Sequence, residues 1–314
     1  SCLASFLILI LVMKLGEVVK LKSTGMEILM LYVAFTPVFY LRGGSVGPDM
    51  LATFFITAEF LWTLYWKESP NWKNTFILAI SYGLGVMTKI SCAIVAVYTV
   101  IVFIKRLRKS SSKKETVDLL KKYICFGIVS LPLRLWYSAR NYIKFRQPLS
   151  YVPDIGRQSE LYTGDRSFAE RFIYIDLKNL IRSPFCVVED DYNAPAYFIK
   201  SSLFGEFTFG LPLWIPRLLL YCAIGIAVFL ALAIIWNAKN YSENYRKDVL
   251  LISAIYYASI IVFNMKYPYG CSMDFRYMGF LTVMAGIVMG GYEDQLEGRT
   301  YGTTVKTLFY GYSF

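Results

Sequence analysis

The sequence predicts an all-α protein, a polytopic transmembrane helical bundle of about nine segments with one large extracytoplasmic loop domain. Two observations carry this. Of 314 residues, 56% are hydrophobic, the mean hydropathy is +0.45, and the apolar residues fall in blocks longer than a globular core needs. The formal charge of +11 is concentrated between blocks: residues 105–122 carry eight Lys/Arg against Glu115 and Asp118. That is the positive-inside pattern, which places this loop in the cytoplasm beside anionic lipid and removes any need to invoke nucleic acid as a partner.

The apolar stretches run 2–19, 26–40, 49–66, 75–88, 90–104, 122–138, 213–236, 248–264 and 272–290. The third opens on Pro48-Asp49, a proline and an acid where a helix start favours them. The fourth and fifth are short and read as a bent hairpin about Thr88 and Lys89. The chain thus divides into transmembrane helices over 1–138, the loop domain over 139–212, and transmembrane helices with a cytoplasmic tail over 213–314. Within the loop domain, Gln147-Pro148-Leu149-Ser150-Tyr151-Val152-Pro153-Asp154 reads as ordered turns, and 168–180 as an amphipathic helix on the membrane surface.

Counting crossings from the basic loop puts 20–25, 67–74, 237–247 and 291–314 inside and 41–48, 139–212 and 265–271 outside. The outer region 139–212 carries nine Lys/Arg and nine Asp/Glu, so its balance agrees with that orientation. The first segment then runs inward, and at least one crossing and an outer loop are expected before Ser1; an apolar start without Met reads as a fragment.

Histidine is absent, which excludes Ser-His-Asp and Cys-His nucleophile systems and the commonest zinc ligand. The six cysteines form no CxxC pair; a Cys186–Cys271 bridge in the outer loops is an open alternative. No cofactor is indicated. The acidic run Glu189-Asp190-Asp191 reads as a solvated loop, with a divalent cation as the rival reading.

Ionisable groups near membrane depth are costly, so those at the outer helix ends are the candidates for chemistry. Arg42-Gly43-Gly44-Ser45-Val46-Gly47-Pro48-Asp49 is a glycine-rich break in which Asp49 is either a helix cap or a site carboxylate. Trp136-Tyr137-Ser138-Ala139-Arg140-Asn141-Tyr142-Ile143-Lys144-Phe145-Arg146 is either an interfacial anchor or a phosphate grip made by guanidinium and aromatic rings. Lys266-Tyr267-Pro268-Tyr269-Gly270-Cys271-Ser272-Met273-Asp274-Phe275-Arg276-Tyr277 brings Asp274 and Arg276 into the start of an apolar helix, as a site or as an ion pair between helices. Lys89 either faces a phosphate or snorkels to the interface. Arg134 and Glu59 stand out at mid-depth.

Three motifs, in order, resemble the GT-C superfamily of membrane glycosyltransferases, particularly bacterial relatives of the protein O-mannosyltransferases and the lipid A aminoarabinose transferases. They are Pro48-Asp49-Met50-Leu51-Ala52-Thr53-Phe54-Phe55, the Gly-xxx-Thr-Lys of Gly85 to Lys89, and Arg140-Asn141-Tyr142. The resemblance covers most of the chain. It implies transfer of a sugar from a polyprenyl-phosphate donor to a lipid, glycan or protein acceptor at the outer face of the bacterial plasma membrane, with inversion. It also implies a catalytic aspartate in the first outer loop, which the crossing count places upstream of Ser1. Asp49 is the carboxylate carried over on this chain. Arg42, Lys89, Arg140, Asn141, Tyr142, Tyr269, Asp274 and Arg276 are the substrate-binding candidates. The rivals are a polytopic transporter or lipid flippase, and a catalytically inactive relative with the same fold.

Overall fold

A computed structural model describes residues 1–147, 155–187, 191–239 and 244–296, and among these the protein is all helical, without a strand. The first half of the chain forms α1 (Cys2–Val18), α2 (Ser23–Phe35), α3 (Pro37–Gly44), α4 (Asp49–Glu68), α5 (Trp72–Thr88), α6 (Val95–Arg108) and α7 (Lys113–Phe145). Three short helices follow: α8 (Phe168–Phe172), α9 (Leu177–Arg182) and α10 (Ala194–Phe204). The chain then returns to long helices in α11 (Trp214–Lys239), α12 (Asn244–Lys266) and α13 (Gly279–Leu296).

Three helices are long and apolar enough to cross a membrane: 90–108, which joins a 3-10 turn to α6, then Trp214–Ala238 and Tyr245–Lys266. The pair α2 and α3 makes a fourth if it is one bent span. These are the members of the expected set of segments that qualify by length and composition.

Contacts at the helix ends define an antiparallel array. At one end, the Ser1 hydroxyl donates to the Gly47 carbonyl at 3.4 Å, and Lys89 pairs with Asp49. At the other, Lys67 pairs with Asp248 at 2.5 Å and Arg106 with Glu115 at 3.3 Å. Helices within a membrane gain no hydrophobic energy from each other, so close backbone approach and packing must hold them. Small residues supply that approach: a Cβ at Gly290 of α13 would stand 2.4 Å from the Gly25 carbonyl oxygen of α2. Beside it, the Asp294 carboxylate accepts from the backbone of Lys22 at 2.7 Å and Gly25 at 2.8 Å, satisfying the first amides of α2. Aromatic rings fill the centre. Phe60 of α4 lies 5.5 Å from Tyr98 and 5.8 Å from Phe280, and Trp66 donates its indole N–H to Thr75 at 3.0 Å.

Four expectations are corrected. The segment 26–40 is broken by 48° between α2 and α3, because Pro37 has no amide hydrogen and forces Thr36 into an extended conformation. The segment 122–138 is the middle of α7, whose 33 residues span about 50 Å and so exceed a hydrocarbon core of about 30 Å. The surface helix at 168–180 is two short helices, each with its own side-chain cap, from Ser167 and from Asp176. The last segment does not begin at 272: Gly270–Met273 and Phe275–Met278 are 3-10 turns, so Asp274 and Arg276 precede the helix. Conversely, the break read at Thr88 and Lys89 is present, with Lys89 extended between α5 and the next 3-10 turn.

The region after α7 packs on the end of the array that holds Asp49 and Lys89. Tyr162 and Tyr269 form an antiparallel bridge, Arg171 donates to the Asn264 carbonyl at 2.7 Å, and α10 lies against α3 and the Phe275–Met278 turn. Residues 148–154 of the predicted turn segment, 297–314 of the tail expected to be cytoplasmic, and Glu189 and Asp190 of the acidic run lie outside the described residues.

Candidate functional site

Three separate breaks in the helical array place charged groups at one end of it. Arg42 stands in the last turn of α3, Asp49 in the first turn of α4, and Lys89 at the extended residue after α5. Asp274 and Arg276 stand in the 3-10 turns before α13. These turns are anchored from both sides: the Phe275 amide donates to Ser201 of α10 at 3.0 Å, and a Cβ at Gly279 would meet the Thr53 hydroxyl of α4 at 2.5 Å.

The side chains converge. Lys89 pairs with Asp49, and its ammonium lies 4.3 Å from the centroid of the Tyr277 ring. Arg276 donates to the Tyr277 hydroxyl at 3.5 Å and stands within electrostatic reach of Asp49. Arg42 reaches both Asp274, at 3.3 Å, and Glu206, at 3.5 Å. Asp274 is buried and also accepts from the Arg276 amide at 2.7 Å. Asp49 makes no cap hydrogen bond to its own helix, so its carboxylate is directed to Lys89.

Arg42, Lys89 and Arg276 thus face Asp49, Asp274 and Glu206, and the formal charges balance. The arrangement is nevertheless incompletely satisfied: the Nε atoms of Arg42 and Arg276 are buried without a hydrogen-bond partner among the described residues. A guanidinium with an open donor edge is suited to a phosphate or carboxylate oxygen.

Phe275 and Met278, on either side of Arg276, line an apolar cavity of about 440 Å³ between α2, α11, α12 and α13. Tyr32, Leu230, Tyr257 and Leu281 continue its wall. A second cavity of about 130 Å³ shares Tyr32, Leu230 and Phe275 with the first.

The other sequence candidates lie elsewhere. Arg140 is exposed near the end of α7, 3.4 Å from Asn141 and 5.9 Å from the ring of Tyr137; Tyr142 is exposed two residues on. Tyr269 is buried 5.8 Å from Tyr162, where it holds the 161–163 segment against the turn after α12. Asp191 is no open cation ligand: it pairs with the fully buried Lys200 at 2.8 Å and accepts from Asn179 at 3.1 Å and from the Val187 amide at 2.5 Å. Among the described residues, no group of three or more acidic or Cys side chains is placed to hold a metal.

Cys186 and Cys271 are free thiols, which corrects the possible bridge, and burial next to the Asp191 carboxylate pushes the Cys186 thiol up to about 12. Of the two expected at mid-depth, Arg134 donates to the Tyr82 hydroxyl at 3.1 Å, while Glu59 is buried near Thr99 with no geometrically formed hydrogen bond to its carboxylate among the described residues. Glu206 is not singled out by the sequence, because it sits in an exposed stretch indistinguishable by composition from other loops; Tyr277 closes the cluster that begins at Lys266 but is not among the substrate-binding candidates.

No protein-family profile, curated protein or solved structure matches this chain.

Proposed function

We propose that the protein is an inverting membrane glycosyltransferase that takes a sugar from a polyprenyl-phosphate donor at the outer face of a bacterial plasma membrane. In this reading the helices from α1 to α7 and from α11 to α13 cross the bilayer as nine segments. The region between α7 and α11 lies outside and forms the acceptor side. The observation that carries the reading is the cluster around Arg276: its Nε is buried without a hydrogen-bond partner among the described residues, the next residue, Tyr277, faces the Lys89 ammonium that pairs with Asp49, and Phe275 and Met278, close by in sequence, line an apolar cavity. A lipid phosphate has that same combination, an anionic head on an apolar chain.

In the reaction, a carboxylate takes the proton of the acceptor hydroxyl, and the hydroxyl oxygen bonds to the anomeric carbon from the face opposite the phosphate. The bond from that carbon to the phosphate oxygen breaks, and its electron pair leaves with the polyprenyl phosphate. Arg276, Lys89 and Arg42 stabilise the charge that develops there. Asp49, which pairs with Lys89, is the carboxylate that the resemblance carries over on this chain. The Lys89 contact orients Asp49 until substrate displaces the lysine.

Transfer of radiolabelled sugar from a panel of polyprenyl-phosphate sugars, in membranes carrying the full-length gene, tests this. Asp49→Asn and Arg276→Ala are each expected to lower transfer by about 100-fold or more. Loss in Arg140→Ala with Arg276→Ala active would relocate the phosphate grip to the end of α7. Absence of transfer from every donor, with the protein inserted, would sink the enzyme reading and favour a transporter, the alternative to which the buried Glu59 points.

A further inference from the structure

We propose that residues 168–181 and 207–214 form one apolar surface embedded in the headgroup and upper acyl region of the outer leaflet, so that this part of the outer region rests in the bilayer instead of standing clear in water. The inference depends on the membrane reading above but not on the reaction.

The first strip exposes Phe168, Ile173, Tyr174, Ile175, Leu177 and Ile181; Ile173 is 68% and Leu177 56% exposed. The second exposes Phe207, Phe209, Leu211 and Leu213 at alternate positions and ends in Trp214, which is 67% exposed. Left in water, a surface of this kind is an aggregation liability, and a protein that keeps it has something apolar to set against it.

The buried side of the same elements gives their depth. Leu180 of α9 and Leu203 and Phe204 of α10 cluster with Phe185 and with Leu220 of α11, and Ala223 and Ile224 pack against them. Ile224 lies ten residues into α11, about 15 Å along its axis. The short helices therefore rest against the first turns of a helix apolar enough to cross a membrane, alongside its own exposed Leu218, Leu219 and Tyr221. The Phe185, Phe204 and Phe209 rings, with centroids 4.9 to 6.4 Å apart, join the two strips. The apolar surface is thus continuous with the outward face of α11.

Charge around the first strip is of both signs, Asp165 and Glu170 being exposed there as well, and continuity with the apolar α11 selects the occupant. Arg166, Lys178 and Arg182 are exposed around the first strip, as cations are where an interfacial segment meets anionic headgroups. Trp214, at the junction with α11, has the amphipathic ring that favours the same level.

Spin-label depth measurement decides the matter. The full chain, with its six cysteines replaced by serine, is reconstituted in vesicles of phosphatidylethanolamine and phosphatidylglycerol. Single labels are placed through Ile175→Cys, Leu177→Cys, Ile181→Cys and Leu213→Cys, with Leu218→Cys as a lipid reference and the exposed Gln158→Cys as a water reference. Collision with oxygen is expected to exceed collision with a water-soluble nickel complex at 175, 177, 181 and 213, as at 218, and the order to reverse at 158. Preference for nickel at the four test positions while 218 prefers oxygen would overturn the proposal and leave the membrane reading intact. Exclusion of both reagents would overturn it in favour of a protein partner or a second copy. Preference for nickel at 218 itself would remove the membrane reading on which the proposal stands.

Discussion

The ammonium of Lys89 is held between groups from two distant parts of the chain, the carboxylate of Asp49 and the ring of Tyr277, 4.3 Å from its centroid. Both ion-pair partners sit at interruptions of helices, Asp49 just after Pro48 and Lys89 at the single extended residue between α5 and a 3-10 turn. The contact therefore ties three breaks in the array together, because Tyr277 belongs to the turn that opens α13.

If the pair holds these breaks in place, Asp49→Asn and Lys89→Met will not act independently. The two side chains are 14% and 22% exposed, so the pair is only partly screened by solvent. A double-mutant cycle on thermal unfolding in detergent is expected to show a coupling of about 1 to 3 kcal/mol. A coupling below about 0.5 kcal/mol would mean that the contact contributes nothing measurable.

The Lys200–Asp191 pair is a second tie, inside the region between α7 and α11. Lys200 is 0% and Asp191 1% exposed at the side chain, and Asn179 bonds to both. Lys200→Met removes the cation and strands a buried carboxylate, a change that costs about 3 to 5 kcal/mol. Limited proteolysis is expected to cut faster between 155 and 213 in this variant. Lys200→Met combined with Asp191→Asn is expected to recover part of the protection, since no unpaired charge then remains. Equal sensitivity of the single and double variants would count against the pairing as the cause.

Glu170 makes the start of α8 sensitive to acid. Its carboxylate accepts from the Ser167 hydroxyl at 2.7 Å and amide at 2.8 Å, while Ser167 accepts from the Glu170 amide. The Ser167 hydroxyl, and after it the amide, hold this carboxyl below its usual value. A depressed acid stabilises the fold above its unfolded pKa and loses that contribution as pH falls through the folded one. Deuterium uptake at 168–172, corrected for intrinsic exchange, is therefore expected to stay flat above about pH 5 and to rise below about pH 4. Glu170→Gln should abolish the step, and a step that survives in that variant would assign it to another group.

The parts of the candidate site that were legible in the sequence are those where chain direction changes. A proline before Asp49, the glycines after Arg42 and the Thr88-Lys89 junction interrupt apolar periodicity, and an interruption shows in one dimension. The rotation of α7 about its axis does not, and for that reason Arg140 was grouped with the other cations although it faces outward at the end of that helix. Tyr269 was grouped for proximity to Asp274 in sequence, but the turn between them directs it to Tyr162 instead. Glu206 was overlooked because its link to Arg42 spans two elements distant in sequence.

By itself the sequence determined the helical class, the order of the apolar segments and the concentration of basic charge between α6 and α7. These follow from local properties, namely side-chain transfer cost, backbone propensity and the position of each proline. Tertiary structure alone decided which of the interruptions meet: that Lys89 faces Asp49 and Tyr277, that Arg42 reaches Asp274 and Glu206, and that Lys200 is neutralised by Asp191. Those pairings depend on the rotation and depth of each helix, which are set by close packing such as Gly290 against Gly25. A shift of one residue turns a helix by about 100°, enough to carry a charged side chain from a partner to lipid while leaving the hydropathy pattern almost unchanged.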